Sequence, residues 1–121
     1  MAAKLQPNDP YTHANLGHVL FEDSRLETDP ARKARKVDEA AEHARLAIEQ
    51  RPILPEPHNT LGRIYWERGE LDQAAAEFRE ALTYDAGLMA AHENLAKLLM
   101  ALQKWDEAQE EVREMLKTNP K

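Results

Sequence analysis

The chain contains no cysteine, which excludes disulfides, thiolate catalysis and cysteine-ligated metals. That absence leaves the compartment undecided, with the cytoplasm the favoured expectation. Runs of alternating β-branched residues are missing, so no strand is expected. No apolar stretch approaches the ~20 residues needed to span a bilayer. The opening MAAKLQPND lacks the long apolar segment of a signal peptide. Positive charge is in deficit: 16 Lys and Arg face 22 Asp and Glu, a net charge of -6. This balance disfavours nonspecific binding to nucleic acid or anionic membrane. Nor is there a nucleophile–base arrangement, a Gly-rich phosphate loop or an HExxH motif. Glu77, Glu80, Glu110 and Glu111 stand at spacings expected of exposed helix faces. No enzyme activity and no cofactor are expected.

What remains is a chain of 121 residues, one domain's worth, rich in Ala, Leu and Glu and punctuated by only four Gly and seven Pro. Residues 1–9 read as the tail of a preceding helix or a linker, with Pro7 as its stop. Pro10 suits a first helical turn, where its missing N–H has no partner. A first helix is expected from about Pro10 to Leu26, with His13, Leu16, Gly17 and Leu20 on one stripe. Asp29 is a good N-cap and Pro30 a good first residue for a second helix running to about Gln50. Val37, Ala40, Ala41, Ala44, Ala47 and Ile48 are its inward set. Pro52, Pro55 and Pro57 make a stiff connection. A third helix covers about Glu56 to Arg68 and ends at Gly69 as a left-handed cap. A fourth covers about Leu71 to Tyr84, and a fifth about Leu88 to Leu102. The fifth has Gln103-Lys104 where a turn glycine would stand. A sixth runs from about Trp105 to Thr118.

These helices form three pairs with a common pattern. Leu61-Gly62 matches Leu16-Gly17 and Leu95-Ala96, while Ala74 matches Ala40 and Ala108. Phe78 matches Ala44 and Val112, and Ala81-Leu82 matches Ala47-Ile48 and Met115-Leu116. The second and third pairs repeat at 34 residues, and the first carries 11 more. The middle pair, with Leu61, Gly62, Tyr65, Gly69, Ala74, Phe78 and Ala81, resembles the tetratricopeptide repeat (TPR) family, whose period is 34 residues. Where that family favours Trp, all three pairs carry His: His13, His58 and His92.

The resemblance implies an all-α, right-handed superhelical stack of three helix-turn-helix hairpins, the first extended by 11 residues. The units divide as 10–54, 55–88 and 89–121. Small residues let the helices approach closely, and each pair needs its neighbours to bury its apolar face. The extra residues, about three turns, put a hairpin tip near residues 24–36 outside the stack.

The resemblance also places a concave groove along the first helix of each pair. Three rows of equivalent residues then emerge: Asn15, Thr60 and Asn94; His18, Arg63 and Lys97; and Phe21, Trp66 and Met100. Asn amides suit an extended backbone, and the basic row suits an acidic segment or a C-terminal carboxylate. Phe21, Trp66 and Met100 offer apolar anchors, although packing against a neighbouring helix is the competing reading for Phe21 and Trp66. Part of the family clamps acidic chaperone C-termini. The matching positions Ala14, His18, Thr60, Ala90 and Asn94 lack the clamp residues, which argues against that role. The three histidines, on separate pairs, read as packed, hydrogen-bonded core residues rather than a shared metal site. Arg32, Lys33, Arg35 and Lys36 read as a solvated face laced with ion pairs.

The expected function is a non-catalytic scaffold binding a peptide or protein segment. The alternative is an assembly module, acting by self-association through its open ends or as part of a larger TPR protein. An exposed face beside Leu98, Leu102 and Val112 would serve a homodimer. Partner and pathway are not legible in the sequence.

Overall fold

A computed structural model describes residues 9–118; the expected helix tail at 1–8 and the stop at Asn119-Pro120 lie outside them. Six α-helices occur among the described residues: α1 (Pro10–Leu26), α2 (Pro30–Gln50), α3 (Pro55–Glu67), α4 (Leu71–Tyr84), α5 (Met89–Ala101) and α6 (Trp105–Thr118). Each packs on its neighbours in sequence, and α3 also touches α1 and α5. None is long and apolar enough to cross a membrane.

The helix starts follow from local chemistry. Asp9 and Asp29 cap α1 and α2 by accepting from Tyr11 N at 3.2 Å and Arg32 N at 2.9 Å. Pro10, Pro30 and Pro55 occupy first-turn positions. Helix α3 therefore begins at Pro55, one residue earlier than expected, because the fixed φ of proline suits that position. The ends of α3 and α5 share one geometry. Gly69 N donates to Trp66 O at 2.9 Å and Glu70 N to Tyr65 O at 2.8 Å; Gln103 N donates to Met100 O at 2.9 Å and Lys104 N to Leu99 O at 2.8 Å. Both are Schellman motifs, which need a left-handed residue after the cap. Gly69 supplies it at φ 80, and Gln103 adopts it at φ 61 without glycine's freedom.

The lengthened hairpin is lengthened wholly within its helices. Helix α1 has 17 residues against 13 in α3 and α5, and α2 has 21 against 14 in α4 and α6. Four and seven residues are close to one and two whole turns, so the buried face keeps its phase. The extension does not stand free. Lys33 pairs with Glu67 at 3.3 Å and Asp38 with Arg68 at 2.6 Å, tying α2 to the end of α3.

Two apolar clusters form the core. Phe21, Val37, Ala40, Ala41 and Ala44 meet Leu61 and Ile64; Ala74, Ala75 and Phe78 meet Leu95, Leu98, Leu99 and Ala108. Tyr65 packs against both. Leu16 departs from the expected stripe and is 39% exposed, while its counterparts Leu61 and Leu95 are buried. Those two lie against the second helix of the preceding pair, and α1 has no such helix before it among the described residues. Leu98 was expected on an open face but is fully buried, and the exposed apolar residues of α6 are Trp105, Val112 and Leu116.

Candidate functional site

A cleft of about 570 Å³ opens along α1, α3 and α5. Helix α1 contributes His18, Phe21 and Arg25; α3 contributes Asn59, Arg63, Trp66 and Glu67; α5 contributes Ala90, Glu93, Asn94 and Lys97. Six of the nine residues expected in a groove therefore line one space: His18, Phe21, Arg63, Trp66, Asn94 and Lys97. The other three lie elsewhere. Asn15 is exposed in a separate hollow with Tyr11 and Pro55. Thr60 is 3% exposed and Met100 is half exposed, both outside the cleft lining.

The reason is geometric. Equivalent residues repeat from pair to pair, but a cleft between two helices is lined by their facing, nonequivalent edges. Asn94 reaches back to α3 and donates to Asn59 at 3.1 Å. Its counterpart Thr60 occupies the edge of α3 turned to the preceding pair, where it is buried. Met100, the counterpart of Trp66, is half exposed near the C-terminal end of α5. Sequence reasoning missed Arg25, Asn59 and Glu93, and reached Ala90 only through the resemblance, as a position without its clamp residue. The signal was the spacing of four then three in Asn59, Arg63 and Trp66, repeated in Ala90, Asn94 and Lys97, which keeps one helix edge.

The cleft's chemistry is graded. Phe21 is a core residue, buried beneath the Arg63 guanidinium at 4.8 Å from the ring centroid. Arg63 also donates to Glu22 at 2.8 Å. That hydrogen bond holds the Glu22 carboxyl below the usual carboxylate range, against a smaller opposing effect of burial. Trp66 sits edge-on to Phe78, with centroids 6.4 Å apart, and still lines the cleft. It combines the packing and the groove readings. Glu67 is held by Lys33. Among the described residues Lys97 and Glu93 have no ion pair, so Lys97 is the cleft's uncommitted cation.

The three equivalent histidines are built into the hairpins. His58 donates through Nδ1 to Glu77 at 2.8 Å and through Nε2 to the Pro52 carbonyl at 2.9 Å. His92 does the same with Glu111 at 2.9 Å and Ala86 at 2.7 Å. His13 instead meets His43, Nδ1 to Nδ1, at 2.8 Å. Among the described residues its Nε2 is buried without a partner. The residue matching Pro52 and Ala86 there is Pro7, outside the described residues. Three residues of the basic run are engaged: Lys36 bonds Glu27 at 2.9 Å and Asp23 at 3.0 Å, Arg32 pairs with Glu27 and Asp29, and Lys33 pairs with Glu67.

Two family models described as tetratricopeptide repeat match residues 29–88 and 66–121. The chain belongs to the tetratricopeptide repeat family. Solved TPR structures share its fold. A thermophilic TPR protein of Thermus thermophilus superposes with a TM-score of 0.85 at 23% identity, over 96% of this chain and 59% of that one. This chain thus spans about three fifths of that protein's length. The first TPR of Spaghetti (RPAP3) bound to the HSP90 peptide SRMEEVD gives 0.67 at 20% identity, covering 88% of this chain and 84% of that one. The TPR2B domain of yeast Sti1, in a pHsp70 complex, gives 0.65 at 16%, covering 84% and 81%. At these identities the likeness is one of fold.

Proposed function

We propose that this TPR chain is a non-catalytic scaffold that holds an extended, acidic peptide or protein segment in the α1–α3–α5 cleft. Its units are 10–54, 55–88 and 89–121. The observation that carries the reading is the uncommitted Lys97 beside the linked Asn59–Asn94 amides and the partly exposed Trp66. The amides offer a donor and an acceptor to a peptide backbone, the ammonium a charge partner, and the indole an apolar anchor. The peptide-bound TPR structures support the reading by showing what this fold can hold.

Substituting Trp66 or Arg63 disturbs packing as well as the surface, because both contact core aromatics. Lys97 is exposed and gives the cleaner test. A fluorescein-labelled acidic peptide with a free C-terminus, followed by anisotropy, is expected to bind the parent chain. Lys97→Glu should weaken it by about tenfold, worth ~1.4 kcal/mol. Equal binding by both proteins rejects the cleft.

Exposed Leu16 and Val19 on α1, and Val112 and Leu116 on α6, favour a second reading as an assembly module. Sedimentation over a concentration series tests it, and a strict monomer counts against it.

A further inference from the structure

A second cleft, of about 660 Å³, lies between α2 and the α3–α4 hairpin. Leu46, Ile48, Leu61 and Tyr65 supply its apolar lining. Helix α3 borders both clefts. His58, Leu61, Tyr65 and Arg68 at its end turn to this one, whereas Asn59, Arg63, Trp66 and Glu67 turn to the other. At ~3.6 residues per turn these two sets fall on roughly opposite sides of the helix. The clefts are therefore separate sites on opposite faces.

Their lining charges also differ in balance: Arg25, Arg63 and Lys97 face Glu67 and Glu93 in the first cleft, whereas Arg45 and Arg68 face Asp38, Glu42, Glu49 and Glu77 in the second. On the rim of the second cleft, Arg68 is taken by Asp38 and Glu77 by His58. Glu42 and Glu49 are exposed and have no ion pair among the described residues, with Arg45 as the one opposing lining cation left. Glu42, Leu46 and Glu49 form a stripe along α2, two carboxylates two turns apart with an apolar residue between them. The pattern belongs to this groove rather than to the repeat. One unit along, Ala76, Glu80 and Thr83 invert it, placing the carboxylate in the middle and uncharged residues at the sides.

We propose that this cleft docks a basic amphipathic helix of a partner protein. Its apolar side chains lie on Leu46, Ile48 and Tyr65, and Lys or Arg residues two turns apart reach Glu42 and Glu49. A helix laid along α2 matches that spacing because both rise ~1.5 Å per residue. Apolar anchors in a groove with charges at its rim are the general mode of helix-in-groove recognition.

The test is anisotropy with a labelled Leu/Lys/Ala peptide of about 15 residues, the length at which a helix becomes sustainable. Its lysines are spaced seven apart. Glu42→Lys with Glu49→Lys should weaken binding by about tenfold or more. Asp106→Lys with Glu110→Lys, the same charge change on α6, should alter it by no more than about twofold, as expected of exposed charges remote from a site. Lys97→Glu should likewise leave it unchanged, which separates this cleft from the acidic-peptide site. Equal weakening by both double variants would reduce the effect to bulk charge and overturn the proposal. So would weakening by Lys97→Glu, or failure of the parent chain to bind the peptide.

Discussion

His58 and Glu77 join the two helices of the middle hairpin from inside, ring Nδ1 to carboxylate at 2.8 Å, with the Pro52 carbonyl accepting from Nε2 at 2.9 Å. Both partners are acceptors only, so the ring must carry a proton on each nitrogen to satisfy them. Burial works against that charge. The Glu77 hydrogen bond, the Pro52 carbonyl and the charges of Glu77 and Glu80 outweigh it, and hold the imidazole above its ordinary value.

A raised folded-state value means that the pair stabilises fully below the unfolded value of about 6.5 and is lost as pH rises through the folded one. Glu77→Gln is expected to cost about 1 kcal/mol or more near pH 6, with the gap to the parent narrowing toward alkaline pH. Urea midpoints across that range measure it. A gap that does not change with pH would show that Glu77 acts by packing alone.

His43 occupies the position that Glu77 and Glu111 hold in the other hairpins, and its ring stacks on His13 with centroids 5.0 Å apart. In the Nδ1–Nδ1 bond one ring nitrogen donates and the other accepts, so the two rings must hold different tautomers at that atom. His43→Glu replaces that bond with a carboxylate acceptor, and charge-assisted bonds are stronger. A gain of about 1 kcal/mol is expected, read as a rise in Tm. A fall in Tm would mean that the ring stacking outweighs the hydrogen bond.

Gly62 and Gly17 separate two kinds of close approach. A Cβ on Gly62 would stand 2.6 Å from Phe78 Cε1, and the Phe78 ring is fully buried with nowhere to move. On Gly17 it would meet Ala40 O at 3.1 Å and Ala44 N at 3.2 Å. Gly62→Ala should destabilise by about 1–3 kcal/mol through overpacking, even after the gain in helix propensity. Gly17→Ala should cost less. Phe78→Leu added to Gly62→Ala should cost less than the sum of the two changes, and strict additivity in a double-mutant cycle would remove the clash as the cause.

The two Schellman turns predict opposite responses. Gly69→Ala forces a side chain into the left-handed region and should cost about 1 kcal/mol, although its Cβ would meet nothing within 4 Å. Gln103→Gly relieves the same strain at φ 61 and should stabilise, by somewhat less than about 1 kcal/mol because glycine also frees the unfolded chain. Thermal melts of both variants decide it; two changes of the same sign would refute the turn argument.

The limits of the helices were legible because caps and stops are local. Asp29-Pro30, Gly69 and the Ala-rich face of α2 each act within a few residues of themselves. The eleven added residues were legible as whole turns for the same reason. The candidate cleft was legible only in part. His18, Arg63 and Lys97, marked by repetition as equivalent positions, line one cleft, while Asn15, Thr60 and Met100 lie outside it because repetition cannot say which edge meets which neighbour.

By itself, then, the sequence determined the helical repeat, its three hairpins and the whole-turn extension, all consequences of periodicity and local backbone chemistry. Only the tertiary structure decided that Leu16 is exposed where Leu61 and Leu95 are buried. It also decided that Arg63 is committed to Glu22 and Phe21 while Lys97 is not, and that α3 presents two clefts of opposite charge balance. Those facts depend on which helix lies beside which, and a residue's own neighbourhood in sequence carries no record of that.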